Sequence, residues 1–415
     1  TLLGIAGPTL MPSTLSLIRV MFRDPRQQQA AIGAWTGFFG LGTVIGPLAG
    51  GARLALFWWG SVFLIGVPVM LVLIVAGPLV LPEYRDESVA RPDLVSAVMS
   101  VLGVLAVIFG LKRIAADGPG LWSGLAVVAG LVLAVLFVSR QRRLDQPLVD
   151  LSLFRNRLFG TALGMLVLAT LLSAASQFFV MQYLQLVRGL PPIQAGLWSL
   201  PTTVAVMIGA MGAPGLVSRV KLSTLLAGGL VVTAAGMVVL AQVGGPSDLY
   251  VAVTGAAVIG LGLGPMVSLG TGLIVGAAPP ERAGAASAMA STGTELGSAL
   301  GVAVIGSVGF AVYRANLADT LPGGLPASAR KAARDTLAEA VNVAHKLPAA
   351  DGSRLLSAAR AAFVDGLQTT AIVGAVLALL LAAAAAALLR GARMPGPGPV
   401  AESDDVAKTL AKAES

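Results

Sequence analysis

Apolar residues run along this chain in long blocks, broken by short charged loops. Eleven blocks are long enough to cross about 30 Å of hydrocarbon as helices. They cover residues 1–18, 28–50, 58–81, 94–113, 120–139, 158–186, 192–217, 222–243, 249–275, 285–313 and 366–391. Such blocks predict an all-α polytopic membrane protein. Alternating ten-residue strands are absent, which argues against an outer-membrane barrel.

The stretch Gly33 to Gly51, GAWTGFFGLGTVIGPLAGG, which carries no charge, fills most of the second block and ends one residue beyond it. Gly33 and Gly37 are four apart, as are Gly42, Gly46 and Gly50. Residues four apart share a helix face, so the span presents a groove without side chains, the kind that lets helix backbones approach closely in a bilayer. Pro47 has no N–H for the carbonyl of Thr43, so a bend is expected there. The bare face and the bend suit a tight seal against a second helical unit on the outer side. Close packing without a mechanical role is the plainer reading. Gly260, Gly262 and Gly264 with Pro265 form a second patch of the same kind.

Two regions lie outside the blocks. Residues 314–365 form one long outer loop, in which Ser328 is placed to cap a helix over Ala329–Ala344, with Lys331 and Asp335 four apart. From Met394 the chain reads MPGPGPV and then an acidic and basic tail to Ser415. Repeated Pro and Gly block a helix, so disorder is expected there.

Composition sharpens the class. Of 415 residues, 56% are hydrophobic and 12% charged, against about 25% charged in a soluble domain; mean hydropathy is +0.85. There is no Cys, which removes disulfides, thiolate metal sites and Cys nucleophiles. The single His345 lies outside the spans and reads as an ordinary surface residue. No GxxxxGK[ST] loop is present, so nothing in the chain points to ATP-driven work. No metal or cofactor is expected.

The net charge of +8 sits in the loops, where it reads as topology and phospholipid contact rather than nucleic-acid binding. One set of loops carries Arg19, Arg23 and Arg26; Arg85 and Arg91; Arg140, Arg142, Arg143, Arg155 and Arg157; Arg219 and Lys221; Arg282; and Arg390 with Arg393. The opposite set holds Arg53, Lys112 with Arg113, and Arg188. The richer side and the C-terminus are therefore expected to be cytoplasmic. Eleven spans then put Thr1 outside, a placement that an odd number of preceding helices would explain.

Three groups of residues could carry chemistry. Glu295 is the one acid well inside a predicted span, about ten residues from its start. A charge at that depth costs at least ~2.5 kcal/mol. Burial in hydrocarbon favours the neutral carboxyl, which could release its proton when a cation arrives. Its plainer reading is a neutral Glu hydrogen-bonded between helices, or one facing a lumen for solubility. Gln177, Gln182, Tyr183 and Gln185 lie close together on the 158–186 span and could line an uncharged polar cavity, or simply bond neighbouring helices. Phe178, Phe179, Met181 and Tyr183 offer an adaptable surface to flat cations, or an anchor at the lipid boundary.

Gly42-Thr-Val-Ile-Gly46-Pro47-Leu-Ala-Gly50-Gly51 resembles the antiporter motif, GxxxGPxxGG, of the major facilitator superfamily. Gly7-Pro-Thr-Leu-Met-Pro-Ser before it resembles the family's fourth helix, and Phe57-Trp58-Trp59 after it the entry to the sixth. Gln182-Tyr-Leu-Gln185, with Gly189-Leu-Pro-Pro-Ile-Gln-Ala-Gly196 and Leu200-Pro201, is similar to the ninth and tenth helices of fourteen-helix drug:proton antiporters. Glu295-Leu-Gly-Ser-Ala-Leu-Gly301 is similar to their thirteenth. The resemblance implies the major facilitator fold and, for this chain, helices four to fourteen. In the family, the first three carry an acid in helix one and a basic loop motif after helix two, and neither can be assigned here.

The organisation expected is residues 1–81 as the remainder of an N-terminal half, 82–157 as two linking spans with their loops, 158–393 as a C-terminal half, and 394–415 as a cytoplasmic tail. The function implied is a secondary transporter of the bacterial inner membrane: a monomer exporting amphipathic or cationic drugs, dyes or antiseptics in exchange for protons. Lipids surround it, and no nucleic acid is a partner. An exporter of lipid or hydrophobic metabolites with the same fold, and a non-transporting fragment, are the alternatives. A membrane enzyme is disfavoured, because no nucleophile, base or metal cluster gathers near one face.

Overall fold

The computed structural model describes residues 49–54, 56–80, 93–118, 120–144, 147–217, 219–279, 282–321 and 326–390, with isolated positions between 14 and 46. Nearly all of the first predicted span, most of the second, Pro47, and the tail from Met394 lie outside the described residues.

Among the described residues there is no strand, and nine helices are long and apolar enough to cross a membrane. They fall on the third to eleventh predicted blocks. A 3₁₀ segment, Trp59–Ile65, leads into α1 (Gly66–Val80). There follow α2 (Leu94–Asp117), α3 (Leu121–Gln141), α4 (Arg157–Gln182), α5 (Pro192–Val217), α6 (Leu222–Leu240), α7 (Leu249–Gly276), α8 (Ala283–Leu300), α9 (Gly306–Thr320), α10 (Ala327–Asp335), α11 (Leu337–Ala344) and α12 (Ala349–Leu388). The chain thus alternates between two ends. The basic end holds the α3–α4, α5–α6 and α7–α8 connections; the cap end holds the others among α2 to α12.

α2 and α3 form a hairpin whose backbones interlock. A Cβ at Gly110 would lie 2.8 Å from the Ser123 carbonyl oxygen, and one at Gly130 would lie 2.7 Å from that of Gly103. The basic end is clamped. Asp93 caps α2 by accepting from Val95 N, and Arg140 of α3 donates to the same carboxylate through Nε at 2.8 Å and Nη2 at 3.1 Å. The fully buried Ser96 accepts from Gln141 Nε2 at 2.7 Å. The outer faces of both helices expose Leu, Val and Phe side chains, as a surface in contact with lipid tails should.

α7 is the middle of the remaining bundle, with α5 on one side, α6 on the other and α4 behind. The second glycine patch does this packing. A Cβ at Gly262 would meet the Gly229 carbonyl oxygen of α6 at 2.4 Å, and one at Gly264 the Ala210 nitrogen of α5 at 2.6 Å.

α8 and α9 are one long helix interrupted by a π turn at Gly301–Ile305. Gly293, Gly297 and Gly301 share one face and abut α4. Added Cβ atoms would stand 2.9 Å from Leu163 Cδ1, 2.4 Å from the Val167 oxygen and 2.3 Å from the Leu171 oxygen in turn. The contacts on both helices advance by four residues together, so α4 and α8 run parallel.

The excursion between the last two spans is helical in its described residues and forms a cap on the bundle. α9 continues to Thr320, and α12 begins at Ala349. At 40 residues, α12 is about 60 Å long, twice the hydrocarbon thickness. The single helix expected over Ala329–Ala344 is two. It starts at Ala327 after Pro326, so Ser328 is no cap, and it breaks at Thr336, which is extended and whose Oγ1 accepts from Glu339 N to cap α11. Ala333, Leu337, Ala340 and Leu355 are buried in the cap and continue the core of the bundle. Tyr313 OH donates to the Ala333 oxygen at 2.7 Å, and Asn316 Nδ2 to Asp365 Oδ2 at 2.8 Å. His345 is an exposed residue at the end of α11.

Candidate functional site

Exposed positions on most of the spanning helices carry large apolar side chains, but those of α4 and α8 carry none. On α4 the exposed positions beyond its first residue are Gly164 and Gln177. On α8 they include Ala288, Ser291, Thr292, Glu295 and Ala299. A helix side meant for lipid tails would bear Leu, Val or Phe. These two sides are small and polar, as befits a water-filled path or a facing helical unit.

The glycine contacts of α8 decide where Glu295 points. Gly293 and Gly297 must face α4, and Glu295 lies two residues from each, about 200° around the helix. Its carboxylate is therefore turned away from α4 and is exposed. The acid opens onto the small, polar side of α8, as the reading of a Glu that faces a lumen would have it.

The second group sits at another depth. Glu295 is level with Met165 of α4, and Gln177 is twelve residues further along, about 18 Å toward the cap end. Gln177 is exposed, and Met181, Gln182 and Gln185 are half-buried; Gln177, Met181 and Gln185 share one face at four-residue spacing. None of the three glutamine side chains has a hydrogen bond to a described residue.

Two residues of this group are packing elements. Tyr183 is wholly buried, and its hydroxyl donates to the Gly245 carbonyl oxygen at 2.7 Å. It anchors the α6–α7 connection and cannot line an open cavity, which corrects its placement among cavity residues. Phe178 is half-buried and stacks edge-on against Phe179 and Phe310, with centroids 5.6 and 6.1 Å away. With Phe363 these rings join α4, α9 and α12.

Of the described antiporter-motif glycines, Gly42 and Gly46 have nothing within 4 Å of an added Cβ, and Gly50 makes an ordinary contact with Val62. Gly51 is different. It is buried, and a Cβ there would lie 2.7 Å from Ile193 Cα at the start of α5. Among these glycines only Gly51 closely approaches another helix.

Sequence reasoning passed over the basic-end contacts. Arg282, at the entrance to α8, donates through Nη1 to Asp150 Oδ2 at 2.5 Å and to the Ser152 hydroxyl. Asn156 Nδ2 donates to the Ala277 oxygen at 2.9 Å. These bonds tie the loop before α4 to the α7–α8 turn, so the helix bearing Glu295 is held to α4 at its root as well as along its glycines. Burial alone would raise Asp150, but bonds from Ser152 and the Arg282 guanidinium outweigh it and hold the carboxyl below its usual range. The spacing of Gly293, Gly297 and Gly301 was a legible signal for the packing face; nothing local marked the pairing of Asp150 with Arg282.

Residues 1–302 match the family model described as Major Facilitator Superfamily. The chain is 38% identical over 385 residues to the multidrug efflux pump LfrA of Mycolicibacterium smegmatis, covering 92% of this chain and 75% of that protein. It is 32% identical to the methyl viologen resistance protein SmvA of Salmonella typhimurium, over 88% of this chain and 73% of that one. It is also 32% identical to the tetracenomycin C resistance and export protein of Streptomyces glaucescens, over 91% and 72%.

Proposed function

The chain belongs to the Major Facilitator Superfamily, and from that premise we propose that it is a drug:proton antiporter exporting amphipathic, cationic small molecules. Relatives named as a multidrug efflux pump, a methyl viologen resistance protein and an antibiotic export protein support this reading. The observation that carries it is the bare, polar side of α4 and α8, on which Glu295 is open.

In this reading α4 and α8 line the path between two helical halves that rock about it. Glu295 binds a proton in one state and releases it as a cation arrives. Gln177, Gln182 and Gln185 contact the substrate nearer the cap end, with Met181 supplying an adaptable apolar surface. Gly51 seals against α5 when the cap end is shut. The basic end faces the cytoplasm of a bacterium, together with the C-terminus, and the protein works as a monomer in the inner membrane.

The test is pH-driven export of a lipophilic cationic dye from proteoliposomes holding the chain or its Glu295→Gln variant. Loss of gradient-driven export with retained dye binding is the expected result. Unchanged export by the variant removes Glu295 from the mechanism.

A further inference from the structure

α5 and α6 are joined by a short turn at the basic end but touch each other little, and α7 closes the gap between them from behind. The result is a lateral groove of about 470 Å³. Its walls are apolar: Leu216 and Val220 near the mouth, Ile208 and Val232 deeper, and Pro265 of α7 at the back. The Thr224 hydroxyl is the one polar side-chain group in the lining. The groove is open because Gly212 and Gly228 carry no side chains there; an added Cβ at either would meet nothing within 4 Å.

Its length and its rim identify the occupant. From Leu216 to Ile208, and from Thr224 to Val232, the walls run eight residues, about 12 Å. That is most of one leaflet of a bilayer core about 30 Å thick. Val220 lines the mouth, and its neighbours Arg219 and Lys221 are both exposed. Neither forms an ion pair with a described residue. Two unpaired cations at the mouth repel a cationic amphiphile and attract an anionic head group.

We propose that the groove holds an acyl chain of an anionic phospholipid, whose phosphate-bearing head lies at Arg219 and Lys221. The glycines accept the tail and the two cations select the head. The site rests on the chain lying in a membrane, not on what it exports.

Native mass spectrometry of the whole chain in detergent, with phosphatidylglycerol or phosphatidylcholine added at equal mole ratio, tests this. The unaltered chain should retain phosphatidylglycerol about tenfold better. Arg219→Gln with Lys221→Gln should abolish the preference. Gly212→Leu with Gly228→Leu should fill the groove and abolish retention of both lipids. Thermal unfolding without lipid checks the folding of each variant. The charge variant alters only an exposed turn, and it decides the matter if the glycine variant does not fold. Equal retention of the two lipids by the unaltered chain, or undiminished phosphatidylglycerol retention in the charge variant, overturns the proposal. Because the readout is binding, either result leaves the export reading standing.

Discussion

Gly51 rests on the backbone of Ile193. A Cβ at Gly51 would stand 2.7 Å from both the Cα and the nitrogen of Ile193, closer than side-chain carbons pack. The close approach joins the end of the antiporter motif to the first turn of α5. Gly51→Val should therefore push α5 away and lower the unfolding midpoint, and it should slow dye export several-fold where export is assayed. Gly46→Ala faces open space and gains about 1 kcal/mol of helix propensity. Its midpoint should stay level or rise. Equal destabilisation by both changes would show that the Gly51 contact is not special.

Gly297 aims Glu295. Its missing Cβ would lie 2.1 Å from Thr170 Oγ1 and 2.4 Å from the Val167 oxygen, so Gly297→Leu overpacks the α4–α8 seam at a cost of about 1–3 kcal/mol. Thermal unfolding of the purified chain reads the cost. The same substitution turns α8, so the reaction of a cysteine placed at Thr292 with a water-soluble thiol reagent should change. An unchanged midpoint and an unchanged reaction rate would mean that the seam does not hold α8.

Tyr183 is a structural residue, and its two roles separate by experiment. Tyr183→Phe loses the hydroxyl bond to the Gly245 oxygen and should cost about 1 kcal/mol. The ranking of exported dyes should not change. Gln177→Ala should do the reverse, leaving stability within about 0.5 kcal/mol and altering the ranking. A changed dye ranking in Tyr183→Phe would return that residue to the cavity.

The α2–α3 clamp has a definite pH signature. Hydrogen bonds from Arg140 and then Ser96 hold the Asp93 carboxyl well below the usual carboxylate range. A carboxyl with a lowered folded-state value contributes stability that is fully present above its unfolded value, about 3.9. That contribution is lost as pH falls below this value toward the folded one. The unfolding midpoint should thus be insensitive to Asp93 between pH 5 and 7 and decline in stronger acid. Asp93→Asn should lower the midpoint at neutral pH and flatten the acid decline. Asp150, held by Ser152 and Arg282, should contribute in the same direction.

Much of the fold was legible because its strongest constraint is local. A run such as Leu121–Gln141 is long and apolar enough to span by its own composition, and a helix satisfies its backbone groups within itself apart from those at its ends. The cap was read less well. Its helices are short and polar, and the break at Thr336 depends on a side-chain bond to Glu339 N that no periodicity announces. Of the candidate site, the acid and the glutamines were visible as polar residues within apolar helices. Their surroundings were not.

The sequence by itself determined which segments are long and apolar enough to cross a membrane, which loops are basic, and that an acid, Glu295, lies within one of those segments. It also displayed the small residues at Gly293, Gly297 and Gly301. Only the tertiary structure decided how each helix is turned: that those glycines meet α4 and so swing Glu295 to the open side, that Tyr183 is spent on Gly245, and that Asp150 finds Arg282 across the basic end. The reason is that a spanning helix is apolar nearly all round, so its periodicity cannot say which face meets a neighbour. That choice is made where two backbones fit closely enough to exclude lipid, and it is a property of the pair of helices rather than of either one.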